Sequence, residues 1–258
     1  MRQTFNYHTH TKRCGHAIGE DEEYIQAAIS AGFKVIGMSD HRPYRNFPFP
    51  EDRMNIEMYN DYISSMRYLR EKYKDQIDIK IGFETEYYIE QDQEIREMLN
   101  DVDYMILGQH YTSQESDNDY FFNMSEEYVI KYAEQVCGAM DTGLFLYVAH
   151  PDYVMFGQTE FSPACQTAAE MIARKAVERN IPLEVNINGV TKGRHYYKEG
   201  MLYPYPFRKF WEVMSKYPIK CVYGFDSHDP ELLKETFMYE EVDKILDGIN
   251  LNFVDLKI

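Results

Sequence analysis

Short apolar runs alternate with longer amphipathic stretches along the whole chain. The runs are rich in β-branched, leucine and aromatic residues, as expected for buried parallel strands. The stretches between them have helical periodicity: in Ile56–Tyr73, for example, Met58, Tyr62, Met66 and Leu69 fall on one side of a helix. The pattern predicts seven strands, at Thr4–His10, Val35–Asp40, Ile77–Glu86, Tyr104–His110, Leu144–Ala149, Leu183–Asn188 and Cys221–Phe225.

Capping signals place a helix after each predicted strand. Ser125 and Ser162 suit N-cap positions, Pro163 suits a first helical turn, and Gly32 suits the residue after a helix. Asp229 with Pro230 marks the start of the last helix. The predicted helices are Gly19–Gly32, Ile56–Tyr73, Gln93–Leu99, Ser125–Met140, Ser162–Arg179, Phe207–Lys216 and Asp229–Leu246, with long loops at Arg42–Arg53, Tyr111–Asn123 and Gly189–Pro206.

This alternation of strand and helix predicts an α/β fold with a parallel sheet. No linker or change in composition divides the chain, so we expect a single domain over residues 1–258. Histidines and carboxylates, which are candidate metal ligands, occur at the ends of most of the predicted strands. Their convergence on one site favours closure of the sheet, and the prediction is a distorted (βα)7 barrel with its site at the C-terminal ends of the strands.

Histidines and carboxylates follow the apolar runs. Side chains two positions apart on a strand point the same way, so His8 and His10 project together. The alternative is a set of ordinary polar surface histidines, but these would have no reason to collect at strand ends. Imidazole and carboxylate together are ligands for divalent metals. The predicted metal ligands are His8, His10, His16, His41, Glu84, His110, His150, Asp226 and His228.

The charge and the apolar content of the chain argue against nucleic-acid and membrane partners. The 43 acidic and 27 basic residues give a net charge of −16, which disfavours nucleic-acid binding. This charge would also repel a phosphorylated metabolite unless divalent cations invert the local field. No apolar run reaches the length of a membrane span, and the four cysteines form no CxxC pair. We therefore expect a cytoplasmic protein with reduced thiols and no nucleic-acid or membrane partner.

The ordered set of motifs resembles the PHP superfamily over essentially the whole chain. The matching elements are His8-x-His10, His16, Ser39-Asp40-His41, Gly82-Phe83-Glu84, Gly108-Gln109-His110, His150-Pro151 and Asp226-Ser227-His228. Within the superfamily, Asp226–Pro230 and Asn186–Arg194 resemble the histidinol-phosphate phosphatases of histidine biosynthesis. The resemblance implies hydrolysis of L-histidinol phosphate, a small phosphorylated substrate. Alternatives are a PHP phosphoesterase acting on nucleotides or phosphotyrosine, and a non-catalytic metal-binding regulatory barrel.

The resemblance further implies three divalent ions (zinc, iron or manganese) and a hydroxide that bridges two of them and attacks phosphorus. By this resemblance, Glu84 bridges two ions, and Glu84, Asp226 and Arg194 are the catalytic residues. The implied ligands are His8, His10, Glu84 and Asp226 for one ion, Glu84, His110 and His150 for the second, and His16, His41 and His228 for the third.

Candidate substrate contacts come from loops near these ligands. From the resemblance and from its position in a loop, Arg194 is expected to bind the phosphate through a bidentate contact. Lys192 and Arg42 are weaker candidates for the same role. Glu86 is a candidate for binding a cationic substrate group, although a solvated carboxylate at the rim is the simpler interpretation. Acidic residues that would suit a cationic substrate are Glu86, Asp152 and Asp229.

Overall fold

Parallel strands form the centre of the fold. The computed structural model of the chain describes residues 3–45, 52–113, 119–122 and 125–258. Seven of the strands it contains are parallel, and β6 and β7 form an antiparallel hairpin. The strands are β1 (Phe5–Asn6), β2 (Val35–Met38), β3 (Asp78–Thr85), β4 (Tyr104–Leu107), β5 (Leu183–Asn186), β6 (His195–Tyr197), β7 (Gly200–Leu202), β8 (Lys220–Gly224) and β9 (Asn252–Phe253).

Two parallel ladders join into one curled sheet. β1, β2, β3 and β4 pair in that order, and β8 lies between β5 and β9. Val148 links the two ladders through isolated parallel bridges to Leu107 and Leu183. A further bridge joins Thr9 to Ser227, so that the exits of β1 and β8 also lie side by side. The architecture is therefore an α/β fold with a curled parallel sheet whose strand exits converge.

The predicted strands fall in this sheet, but most are shorter than the sequence pattern indicates. Leu144–Ala149 forms only isolated bridges and backbone hydrogen bonds, such as that from Ala149 N to Leu107 O at 2.8 Å. His150 and Asp226, which follow two of the apolar runs, have φ values of 27° and 45°. A strand cannot continue through such residues because a positive φ lies outside the β region. At His150 and Asp226 the backbone therefore leaves the ladder where these candidate ligands stand.

Helices pack against the sheet through a large apolar core. α1 begins with a reciprocal capping box between Glu20 and Glu23 and ends at Gly32, whose φ of 86° is the left-handed conformation predicted for a C-terminal glycine. Ser125 and Ser162 cap α4 and α5, as predicted. The helices are α1 (Asp21–Ala31), α2 (Tyr59–Tyr73), α3 (Asp92–Met98), α4 (Glu126–Asp141), α5 (Pro163–Arg179), α6 (Arg208–Met214) and α7 (Phe237–Leu246).

One predicted helix and one predicted loop also differ from the structure. The helix predicted over Asp229–Leu246 is divided, because Pro230–Lys234 forms a 3₁₀ turn and Glu235 is extended, with φ −82° and ψ 142°. An extended residue interrupts the helical hydrogen bonds, so α7 begins only after it. The predicted loop Gly189–Pro206 contains the β6–β7 hairpin. Parts of the predicted loops Arg42–Arg53 and Tyr111–Asn123 lie outside the described residues.

The four cysteines are free thiols, as the sequence predicts. Burial raises the pKa of both Cys14 and Cys221 to about 12, so these thiols stay protonated near neutral pH. Within the described part of the chain, no helix has both the length and the apolarity that crossing a membrane requires.

Candidate metal centre

The carboxylate of Glu84 lies in the middle of a cluster of imidazoles. Glu84 belongs to β3, and only 1% of its side chain is exposed. Its Oε2 lies 3.2 Å from His8 Nε2, 3.3 Å from His10 Nε2 and 3.2 Å from His41 Nδ1. One oxygen of a single buried carboxylate therefore faces three imidazoles that come from two different strand exits.

The other oxygen of Glu84 faces a second group of imidazoles. Glu84 Oε1 lies 2.7 Å from His150 Nε2 and 3.5 Å from His110 Nε2. Gly108, just beyond β4, makes room for this oxygen, because a Cβ at Gly108 would lie only 2.0 Å from it. The two oxygens of Glu84 are thus divided between two groups of nitrogens, which is the arrangement expected of a carboxylate that bridges two cations.

A second carboxylate, Asp226, extends the cluster. Its Oδ1 lies 3.1 Å from His10 Nε2, 3.4 Å from His8 Nε2 and 3.3 Å from His228 Nδ1. His228 in turn places its Nε2 2.9 Å from His16 Nε2. The structure therefore brings all nine predicted ligands into one continuous cluster, and their role as metal ligands stays a prediction.

Several nitrogen and oxygen atoms of this cluster make no hydrogen bonds with one another, and their arrangement fits the binding of a cation. Among the described residues, His8 Nε2, both ring nitrogens of His10 and Glu84 Oε2 are buried without a hydrogen-bond partner. Burial alone raises the pKa of the Glu84 carboxyl, but the imidazoles of His8, His41 and His110 hold that pKa well below its usual range. Buried lone pairs that converge around an ionised carboxylate are typical of a metal site.

Two further carboxylates orient the imidazoles from behind. Glu184 Oε1 accepts a hydrogen bond from His8 Nδ1 at 2.8 Å, and Glu86 Oε1 accepts one from His110 Nδ1 at 2.9 Å. Each bond leaves the Nε2 of the same ring facing Glu84. This carboxylate–histidine arrangement fixes the tautomer and the direction of a metal-binding imidazole.

Glu184 was not among the predicted site residues. It is fully buried in β5, accepts a hydrogen bond from His150 N at 3.0 Å, and fits beside Gly224, where a Cβ would lie 1.5 Å from Glu184 Oε1. Asn186, two positions along the strand, donates to Asp226 Oδ2 at 3.2 Å. The signal was available in the sequence: two polar residues with period two inside an otherwise apolar strand indicate a polar face.

A cavity of about 350 Å³ opens beside the cluster. Aromatic side chains form part of its wall, namely Tyr111, Tyr153, Phe156 and Tyr205. Asp52 and Asp119 add negative charge to the cavity wall. Among the described residues, Lys192 is the one basic side chain, counting lysine and arginine, that lines the cavity. This volume is within the usual range for sites that bind small molecules.

The structure does not bring Arg194 or Arg42 to this cavity. The Arg194 side chain is 54% exposed, stacks 5.0 Å from the centre of the Tyr203 ring, and lies 3.9 Å from Glu241. Arg42 is fully buried and donates to Thr85 Oγ1 at 2.6 Å. The phosphate clamp predicted at Arg194 therefore has no geometric support, and of the three predicted cations only Lys192 faces the site.

The predicted acidic contacts also have other partners. Glu86 is buried rather than solvated at a rim, and Arg53 and His110 bind it. Burial opposes ionisation of the Glu86 carboxyl, but Arg53 and His110 lower its pKa below the usual range. Asp152 is buried and accepts hydrogen bonds from Phe207 N and Trp211 Nε1 at 2.7 and 2.9 Å. Asp229 caps the turn that follows it. Apart from the candidate ligands Glu84 and Asp226, the acidic residues that line the cavity are Asp52 and Asp119.

Known proteins resemble this chain over most of its length. A probable histidinol-phosphatase of Deinococcus radiodurans is 27% identical over 233 residues, covering 86% of this chain and 85% of that protein. A probable histidinol-phosphatase of Schizosaccharomyces pombe is 26% identical over 250 residues, covering 86% of this chain and 80% of the relative.

A solved structure has the same fold. The crystal structure of a histidinol phosphate phosphatase from Lactococcus lactis, in complex with zinc, L-histidinol and phosphate, matches with a TM-score of 0.73 and 17% identity, covering 99% of both chains. The family model of the PHP domain matches residues 6–188, which include six of the seven candidate histidine ligands together with Glu84. This chain belongs to the PHP domain family.

Proposed function

We propose that this chain is a metal-dependent phosphomonoesterase that hydrolyses L-histidinol phosphate to L-histidinol and phosphate. The observation that carries the proposal is Glu84, a buried carboxylate whose two oxygens face two separate groups of imidazoles beside a cavity for a small molecule. The two relatives named histidinol-phosphatase support the choice of substrate. Their similarity extends across more than four fifths of this chain.

Three divalent ions, drawn from zinc, iron and manganese, are proposed as cofactors. Glu84 would help to hold the first two ions, and His16 and His228, whose Nε2 atoms lie 2.9 Å apart, would help to hold the third. When bound, the ions supply Lewis-acid stabilisation of the phosphoryl group and acidify the attacking water. The proposed sets are His8, His10, Glu84 and Asp226; Glu84, His110 and His150; and His16, His41 and His228.

The residues around the cavity bind and orient the substrate in this proposal. The Lys192 ammonium attracts the phosphoryl oxygens and offsets the charge that develops on them. Asp52 and Asp119 attract the ammonium and imidazole of the leaving alcohol, while Tyr153 and Phe156 shield the site from bulk water. Glu184 and Glu86, each bonded to an imidazole, hold the ligands in place before the substrate arrives.

The proposal extends to the whole chain. We propose one PHP domain over residues 1–258, built as a distorted (βα)7 barrel. The bridges of Val148 to Leu107 and Leu183, and of Thr9 to Ser227, support this interpretation because they connect the two ladders at both sides.

Side-by-side kinetics test the substrate. We expect kcat/KM for L-histidinol phosphate to exceed that for p-nitrophenyl phosphate by at least about 100-fold, or about 2.7 kcal/mol. The reason is that the cationic groups of histidinol reach Asp52 and Asp119, and such remote binding energy lowers the barrier for the complete substrate. Both substrates are measured with one enzyme preparation and one metal.

Equal rates on the two substrates would end the histidinol-phosphate assignment. Faster phosphate release from nucleotides or phosphotyrosine peptides would replace it with another PHP phosphoesterase activity. Absence of hydrolysis with every phosphate ester, in protein that retains its metals, would favour a non-catalytic role.

A pair of neighbouring cations tests the phosphate contact. Lys192→Ala is expected to lower kcat/KM by roughly 10- to 150-fold, because a charge-assisted contact is worth about 1.5–3 kcal/mol. Arg194→Ala, two positions along the chain, removes a cation that faces Tyr203 and Glu241, and we expect near wild-type kinetics. The reverse result would restore Arg194 as the clamp and remove Lys192 from the site.

A further inference from the structure

Arg53 is buried behind the metal centre and does not line the cavity. Its side chain is only 3% exposed. Its two terminal nitrogens bind the two oxygens of Glu86, Nη1 to Oε2 at 3.0 Å and Nη2 to Oε1 at 3.1 Å. This two-pronged geometry fixes both the position and the rotation of a carboxylate.

Glu86 passes this constraint to His110. Glu86 Oε1, one of the oxygens that Arg53 binds, accepts the hydrogen bond from His110 Nδ1 at 2.9 Å. An ionised carboxylate accepts but cannot donate, so His110 Nδ1 carries the hydrogen, and the lone pair of the neutral ring is then on His110 Nε2. That lone pair lies on the side of Glu84, 3.5 Å from Oε1.

We propose that Arg53 is a positioning residue of the metal centre, which holds Glu86 so that His110 presents Nε2 to the ion next to Glu84. Arg53 touches none of the candidate ligands and reaches His110 through Glu86. Its Nε also lies 3.3 Å from Asp52 Oδ1, so Arg53 contacts one acidic residue of the cavity wall as well. The inference rests on the proposed metal centre but not on the identity of the substrate.

The alternative is that Arg53 only stabilises the fold, and the chain contains a matched control for this. Arg42 is also a buried arginine, and the guanidinium carbons of Arg42 and Arg53 lie 4.4 and 4.5 Å from the centre of the same Tyr44 ring. The Arg42 guanidinium donates to Thr85 and Gln91, whereas Arg53 binds Glu86. Loss of either arginine leaves Tyr44 without one stacked cation, but only loss of Arg53 removes the two-pronged contact with Glu86. The Tyr44 hydroxyl, which also donates to Glu86 Oε2, is kept in both variants.

Zinc affinity, measured together with thermal stability, separates the two roles. Wild-type protein, Arg53→Met, Arg53→Lys and Arg42→Met are loaded with Zn²⁺ and titrated with a chelating dye, and the melting temperature of each is recorded. We expect Arg53→Met to weaken the binding of at least one zinc ion by about 10- to 100-fold, the range for loss of a group that orients a ligand. Arg42→Met should melt earlier but bind zinc with wild-type affinity.

Arg53→Lys keeps the charge without the two-pronged geometry, so its zinc affinity should lie between those of wild type and Arg53→Met. It also serves as the test if Arg53→Met does not fold. Wild-type zinc affinity in the folded Arg53 variants, or equal weakening in Arg42→Met, would overturn the proposal. If wild-type protein itself bound no divalent metal, the metal centre would fail, and this inference with it.

Discussion

Replacement of Glu84 by glutamine is expected to lower kcat/KM by at least about 100-fold and to release bound metal. Glutamine keeps the size of the side chain but lacks the negative charge of Glu84, whose two oxygens face two groups of imidazoles. A neutral amide has one oxygen instead of two, so it cannot bridge two cations. Kinetics on a phosphate monoester and elemental analysis of the same preparation measure both effects.

An exposed carboxylate supplies the control for this variant. Glu57, in the turn Ile56–Met58, is exposed, and Glu57→Gln should keep wild-type metal content and activity. Near-normal turnover with full metal occupancy in Glu84→Gln would refute the bridging role of Glu84.

Gly108→Ala is expected to inactivate the enzyme to a similar extent although it alters no ligand. The added Cβ would lie 2.0 Å from Glu84 Oε1 and 2.6 Å from the carboxyl carbon, far inside van der Waals contact. Glu84 would have to leave its position, and a shift of about 1 Å in a reacting group can cost roughly 100-fold in rate. Activity and metal content are measured together.

Gly138→Ala is the matched control for Gly108→Ala. Gly138 lies inside α4, and a Cβ there meets nothing within 4 Å. Because alanine favours a helix over glycine by about 0.5–1 kcal/mol, this variant should be slightly more stable and fully active. Full activity and metal content in Gly108→Ala would show that the position of Glu84 does not depend on the absence of a side chain at Gly108.

The sequence predicted that the candidate ligands lie together, because their positions follow from local rules. His8 and His10 share a side of a strand, and the exits of parallel strands meet at one edge of a curled sheet. These rules need only the apolar pattern and the strand period. The alternation of elements likewise predicted the parallel sheet and the helices that accompany it.

Contacts between distant segments were beyond those rules. Arg194 lies in the predicted loop Gly189–Pro206 and was expected to bind the phosphate of the substrate. The β6–β7 hairpin, which was not predicted, places Arg194 against Tyr203 instead. A solvated Glu86 was the simpler interpretation of the sequence, because nothing in the neighbouring residues indicates that Arg53 binds Glu86. Burial of a charge depends on such a partner, which sequence spacing alone does not reveal.

Metal content tests the central claim most directly. Protein purified without chelator and analysed for transition metals should contain more than two ions per chain, because the nine candidate ligands form one cluster around Glu84 and Asp226. A value at or below one ion per chain, unchanged after reconstitution with zinc, iron or manganese, would contradict the trinuclear centre.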